Sequence, residues 1–333
     1  MIDAYFFAKI QKKLVLLQKK SHIMKLRVIF SKITLILMLS LAATVNSSCE
    51  KDENTDPGRR DPIIPPVNPI YVEPEIVTEA GFSGGAVLSA FSVGEGRQVM
   101  FSRGNLQYQP STGSWRFAGN QFDTVGRYNA YASETYQGWI DLFGWGTSGY
   151  AGCMPYTITT NCDDYAPNYT DISHTDYDWG VPNAIIRGGD RSEMWRTLTY
   201  DEWEYIIYKR PNAIYLHGQA TVMGVGGYLL MPDIWDCPDD VHFAPDAPDR
   251  YTNTYNRQQW IRLQQLGVVF LPAAGVRDGK NVNAVGQFGY YWTSKAANRS
   301  LSYCVNIYNN IPADLNTAYR YLGHSVRLVK DIN

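Results

Sequence analysis

Four cysteines, Cys153, Cys162, Cys237 and Cys304, are the side chains best equipped for chemistry in the C-terminal two thirds of this chain. A cysteine attacks or ligates only as its thiolate, and protein zinc sites draw their ligands from close pairs such as C-x2-C. No such spacing occurs and the five histidines are scattered, so neither a metal nor any other cofactor is expected. In an oxidising compartment the cysteines allow more than one disulfide pairing, with Cys153 and Cys162 placed to close a small loop; free thiols are the alternative. Asp201, Glu202 and Glu204 look like paired carboxylates, but they fall where a helix begins, and negative charge is favoured there by the helix dipole. Asp163, Asp164, Asp171, Asp176 and Asp178 offer hard oxygens to calcium without an EF-hand pattern, and a solvated loop is the expected reading.

The elements that would position these groups can be read from periodicity. Thr199-Tyr200-Asp201-Glu202 is a capping box, in which the hydroxyl and the carboxylate satisfy amide donors reciprocally. Trp203, Ile206 and Ile207 give the helix that follows an apolar face, as far as about Lys209. A second helix is expected over Asn256 to Leu266, with Trp260, Leu263 and Leu266 on one side and Gly267 as its stop. Strands are expected at Ala86–Val93, Val99–Ser102, Leu106–Gln109, Trp115–Ala118, Val268–Leu271, Tyr290–Ser294, Ser302–Tyr308 and Ser325–Lys330. Few strands, two helices and long Gly, Asn and Asp loops describe an α+β domain over residues 86–330.

The rest of the chain says where such a domain would work. Residues 24–48 carry Lys25, Arg27 and Lys32, an apolar run from Ile33 to Val45 too short for a comfortable membrane span, and small residues ending at Cys49. This is a signal peptide with a loose lipobox, Asn46-Ser47-Ser48-Cys49, and Cys49 is the expected lipidation site. Residues 1–23 read as an extension ahead of a start at Met24, or as a longer n-region. Residues 49–85 open with the acidic Glu50-Lys51-Asp52-Glu53 and continue through Pro57, Pro62, Pro65, Pro66, Pro69 and Pro74, the composition of a tether. A net charge of −2 gives no basic field for nucleic acid, and membrane contact is expected through the lipid anchor alone. The 14% aromatic content, with 24 Tyr, suits contact surfaces and makes a binding role the leading class.

A resemblance is carried by several ordered motifs: Phe143-Gly144-Trp145-Gly146, Tyr177-Asp178-Trp179-Gly180, Trp195 to Thr199 with Glu202-Trp203-Glu204-Tyr205, Phe270-Leu271-Pro272-Ala273-Ala274-Gly275, Gly289-Tyr290-Tyr291-Trp292-Thr293-Ser294, and Gly323 to Val329. Over about residues 86–330 the chain resembles a large paralogous family of Bacteroidetes and Fibrobacter surface lipoproteins. That family is similar to the formylglycine-generating branch of the C-type-lectin fold, which implies a twisted antiparallel sheet with two helices and long loops. It also implies an outer-membrane lipoprotein exposed at the cell surface, with the acidic patch after Cys49 similar to a surface-export signal. Asp123-Thr124-Val125 resembles an O-glycosylation signal. The enzymes of that branch need a cysteine pair for copper, but Cys237 and Cys304 lack their local motif, and neither Glu-Pro-Asn nor Gln-Pro-Asp of the calcium-dependent lectins occurs. A non-enzymatic binder is expected.

The C-terminal stretch resembles the variable region of retroelement-diversified proteins, where a strand and loop between Gly-Tyr-Tyr-Trp and Ser-Val-Arg-Leu-Val carry mutable positions. Codons of the form NNY cannot encode Trp, Met, Lys, Gln or Glu, which fill roughly a fifth of ordinary sequence, and Ala296 to Val326 contains none of them. A static family member with an Asn-rich loop is the other reading, and codons would discriminate. Strand alternation puts Tyr303, Val305 and Ile307 on a core face and Cys304, Asn306 and Tyr308 on the opposite one. The loop Asn309–Leu322 returns to Ser325 beside them, so Cys304, Asn306, Tyr308, Ala313, Asn316, Thr317, Ala318, Tyr319, Tyr321 and Leu322 are expected to form one exposed patch. Its partner would be a surface ligand: protein, glycan or phage. A structural or adhesin-tip part of surface appendages is the alternative function, and a formylglycine-generating-type oxidoreductase a distant third.

Overall fold

Both expected helices form, the first at its capping box and the second with Gly267 as its stop. The computed structural model describes residues 69–167, 171–245, 247–308 and 312–332. The expected signal segment, Cys49 and the acidic and proline-rich stretch up to residue 68 lie outside them. Thr199 Oγ1 accepts from the amide of Glu202 and the Glu202 carboxylate accepts from the amide of Thr199, starting an α-helix over Tyr200–Glu204 that continues as a π-helical segment to Lys209. Asn256 caps the second helix, Arg257–Gln265, with Gln259 as its reciprocal partner. Gly267 ends it at φ +81°, a conformation that L side chains rarely adopt, and a Cβ there would meet Ser89. No helix among the described residues is long and apolar enough to cross a membrane.

The strands gather into small, mostly antiparallel sheets, so the described chain has mixed sheets with few helices, α+β or mostly β in class. One sheet orders Phe91–Gly94, Arg97–Phe101, Leu328–Asp331 and Arg196–Thr197, which ties the C-terminal strand between the start of the domain and the Thr199 helix. A second orders Thr254–Tyr255, His217–Val222, Val225–Leu230 and Val269–Pro272. A third, here called the C-terminal sheet, orders Gly289–Ala296, Leu301–Ile307 and Asp314–Tyr319. The strands expected at Leu106–Gln109 and Trp115–Ala118 form as a hairpin of Leu106–Gln109 with Ser114–Phe117, which adds Ile185–Ile186 in parallel.

Several expectations need correction. The strand expected over Ala86–Val93 is two short ones, Ala86–Val87 and Phe91–Gly94, and the last strand, expected over Ser325–Lys330, is Leu328–Asp331. The hairpin His217–Val222 with Val225–Leu230 was not anticipated. Apart from half-buried Val225 its residues are buried, so neither strand shows the alternation that marks a half-exposed one. The expected loop Asn309–Leu322 contains the strand Asp314–Tyr319, whose Asp, Asn and Ala are poor strand formers.

The described residues from 69 onward form one compact unit, which takes in part of the expected tether. Glu73 reaches Arg187 at 2.8 Å and Arg116 at 2.9 Å and accepts from the amide of Gly119 at 2.7 Å. Asn120 binds the amide of Val77 and the carbonyl of Glu75, and Gln264 binds the carbonyl of Ala80. Residues 69–85 are therefore a strap laid on the domain, because buried arginines and amides offer them partners that composition alone cannot reveal.

Among the described residues the interior has three clusters. The first centres on Trp115, Trp145, Trp179, Trp195 and Trp292, the second on Phe101, Trp203, Tyr291, Val305 and Ile307, and the third on Trp260, Leu263 and Phe270. The C-terminal sheet lies between the first two: Trp292 and Cys304 point into one, Tyr291, Val305 and Ile307 into the other.

Candidate functional site

That double coverage decides the fate of the expected C-terminal patch. Register pairs Cys304 with Trp292 and Asn316, and Asn306 with Tyr290 and Asp314, so these residues share one face of the sheet. The face is roofed rather than open. His324 stacks on Trp292 at 4.1 Å and on Tyr290 at 5.0 Å, and Cys304 and Asn306 retain 1% and 5% of their surface. Ala313 is buried in the second cluster on the opposite face. Cys304, Asn306 and Ala313 are thus floor, not surface. Alternation separates two faces of a strand, but it cannot say that one of them meets water when cores lie on both sides.

What remains outside belongs to the edge strand and the turn after it. Asn316, Thr317 and Tyr319 are exposed, while Tyr308, Ala318, Tyr321 and Leu322 are half-buried. They do not form a single face, since Asn316 and Ala318 lie on the Cys304 side and Thr317 and Tyr319 on the Tyr303 side. The Tyr319 and Tyr321 rings stack at 5.3 Å with 13° between planes, which fixes an aromatic platform at the end of the strand. Asn316 Oδ1 accepts from the amide of Thr317 at 2.8 Å, so its side chain occupies an amide of the strand edge that would otherwise invite pairing.

Beneath this edge runs a buried polar chain. The Cys304 thiol approaches Asn306 Oδ1 at 3.3 Å, and Asn306 Nδ2 donates to the Tyr308 hydroxyl at 2.7 Å. Burial, and then the nearby Asp314, push the Cys304 thiol far above its ordinary range. The same two causes raise the Tyr308 phenol, and burial with Cys304 and Asp314 raises Tyr290 to about 12. Protonated groups of this kind hold a surface in place and do not attack.

The other chemically suggestive residues do not converge. Cys153 and Cys304 are buried, Cys237 is exposed and Cys162 lies between, all as free thiols, with Cys162 donating to the carbonyl of Ser300 and Cys237 to that of Val241. The small loop that Cys153 and Cys162 could close is not closed by a disulfide. Asp178 is wholly buried and bonded to the amide and hydroxyl of Thr197, whereas Asp163 pairs with Arg299 and Asp171 caps the amide of Ser173. No group of His, Cys, Asp and Glu able to hold a metal ion occurs among the described residues. Asp123 of the possible glycosylation signal is buried and accepts from the amide and side chain of Asn120.

Glu202 holds a larger role than a helix cap. Arg196 bonds it twice, at 2.8 and 3.0 Å, and bonds Asp331 at 2.7 Å, so one carboxylate joins the helix start to the C-terminal strand. Sequence reading found the cap and missed this clasp, because Asp331 is distant along the chain.

Compared with known proteins, the chain matches no family model, no curated protein and no solved structure.

Proposed function

We propose that this chain is a cell-surface lipoprotein whose domain, of C-type-lectin-like fold, binds a ligand through the edge strand Asp314–Tyr319 and the turn that follows it. The observation that carries the reading is the Tyr319–Tyr321 stack, fixed at 5.3 Å with Tyr319 half exposed, beside exposed Asn316 and Thr317. Stacked tyrosines bring large amphipathic area at small entropic cost, and neighbouring Asn and Thr add adaptable hydrogen bonds, the chemistry that antibody loops use. The buried chain of Cys304, Asn306 and Tyr308 holds the Asn316 side of the edge strand in place. Cys49 anchors the domain, and the stretch after it sets the domain off the membrane.

The direct test compares the chain with its Tyr319→Ala/Tyr321→Ala variant on arrays of surface glycans and proteins and in phage adsorption. Losing two anchor residues should remove binding, since one hot-spot tyrosine contributes about 2 kcal/mol or more. The stack itself contributes about 0.5–1.5 kcal/mol to stability, so the variant stays folded. A ligand held equally by both proteins would move the site elsewhere. Anchoring is tested separately: Cys49→Ala should release the chain from washed membranes, and retention would refute lipidation. Diversification is tested in the DNA, where a near-repeat of the region encoding residues 289–329 should lie beside a reverse transcriptase with differences at adenines.

A further inference from the structure

A concavity lies away from the C-terminal edge, and none of its lining residues falls within 289–329. It is a cleft of about 250 Å³ lined by Tyr108, Trp115, Ser148, Gly149, Tyr150 and Asn183 among others. Drug-sized pockets run to roughly 300–1,000 Å³, so this one suits a single small cyclic unit. No Asp, Glu, Lys, Arg or His lines it, and a charged ligand would lose its hydration there without gaining a counter-charge.

Its polar groups are few and fixed. Asn183 donates both amide protons, to the carbonyls of Ser148 at 2.9 Å and Trp179 at 3.0 Å, which leaves Oδ1 turned away as an acceptor. The Tyr108 ring is buried while its hydroxyl, which bonds no other described residue, stands 4.0 Å from where a Cβ on Gly113, another lining residue, would lie. The hydroxyl opens onto the cleft rather than into the core, where it can bond a ligand's hydroxyl in place of water. The aromatic walls are equally fixed: Trp115 packs on Tyr108 at 4.5 Å, and exposed Tyr150 stands edge-on to Tyr177 at 5.1 Å. Gly149, at φ +94°, leaves open space where a side chain would stand.

The geometry points to a binding site for one uncharged sugar ring of a neutral glycan, seated against Tyr150 and hydrogen-bonded to Tyr108 Oη and Asn183 Oδ1. A pyranose has apolar C–H faces for the rings and hydroxyls that both donate and accept. A proline-rich peptide, the other usual occupant of aromatic grooves, has no N–H at its prolines to offer the fixed acceptor of Asn183.

The test is saturation-transfer NMR on the full chain with the methyl glycosides of glucose, galactose and mannose, and with an oligoproline peptide. At least one glycoside should bind saturably with a dissociation constant in the millimolar range, as one small unit allows. Tyr108→Phe removes a hydroxyl that bonds nothing in the protein, so it should leave folding intact and weaken binding about fivefold or more. Tyr150→Ala should abolish it, and Tyr319→Ala/Tyr321→Ala should leave it unchanged. The proposal falls if no glycoside binds, if only oligoproline binds, if Tyr108→Phe binds as well as the wild type, or if the loss follows Tyr319 and Tyr321 instead.

Discussion

His324 shows how a single side chain can hold the C-terminal region together at one pH and weaken it at another. Its ring lies between the indole of Trp292 and the surrounding core with 1% of its surface exposed, and Nδ1 has no hydrogen-bond partner. Burial pushes its pKa down to about 3. The unfolded imidazole titrates near 6.5, so below that pH the unfolded chain takes up a proton that the folded chain refuses. The contribution of His324 to stability is whole above about 6.5 and falls by about 1.4 kcal/mol per pH unit as pH drops toward the folded value. Buried Asp123, Asp141 and Asp178, raised by burial to about 6, act in the opposite sense over part of the same range. Their contribution is complete below the unfolded carboxyl value and is lost as pH rises through about 6. The wild-type curve therefore mixes both, and the comparison must be with His324→Phe, which keeps the stacked ring and removes the titration. Urea midpoints at neutral pH and at two acid values should show the variant gaining on the wild type as pH falls. A gap that does not change with pH would mean that the imidazole is not held neutral.

Among the elements, the Thr199 helix carries two separable energies. Thr199→Ala removes one cap and should cost about 0.5–2 kcal/mol. Glu202→Ala removes the capping carboxylate and also leaves Arg196, 8% exposed, with only the half-exposed Asp331. Breaking a buried ion pair from one side costs about 3–5 kcal/mol, so Glu202→Ala should be the more damaging of the two, as read from denaturant midpoints. Equal losses would reduce Glu202 to a cap. The cap was legible because its partners are three residues apart, whereas the clasp joins residues on separate elements. The edge strand Asp314–Tyr319 was hidden for a related reason: its order comes from pairing with Leu301–Ile307, not from its own composition.

At the scale of the molecule, the strap over residues 69–80 is the part whose attachment can be changed without touching the cores. Burial alone would raise the pKa of Glu73, but Arg187 and Arg116 hold it below the ordinary carboxylate value. The stability it confers is present above the unfolded value and is lost as pH falls through the folded one. Glu73→Ala should cost about 1–3 kcal/mol locally, less than a fully buried pair because Arg187 is partly exposed. Amide exchange over residues 69–80 should speed up while that of the Trp203 and Trp260 clusters stays slow; uniform acceleration would make the strap integral to global folding. Read alone, the sequence determined the Thr199 cap, the two helices and about half of the strands, since these follow from contacts within a few residues and from side-chain period. The tertiary structure decided which faces are covered, turning Cys304, Asn306 and Ala313 from surface into floor and residues 69–85 from tether into strap. Burial is a property of what packs against an element from elsewhere in the chain, and no local pattern encodes it.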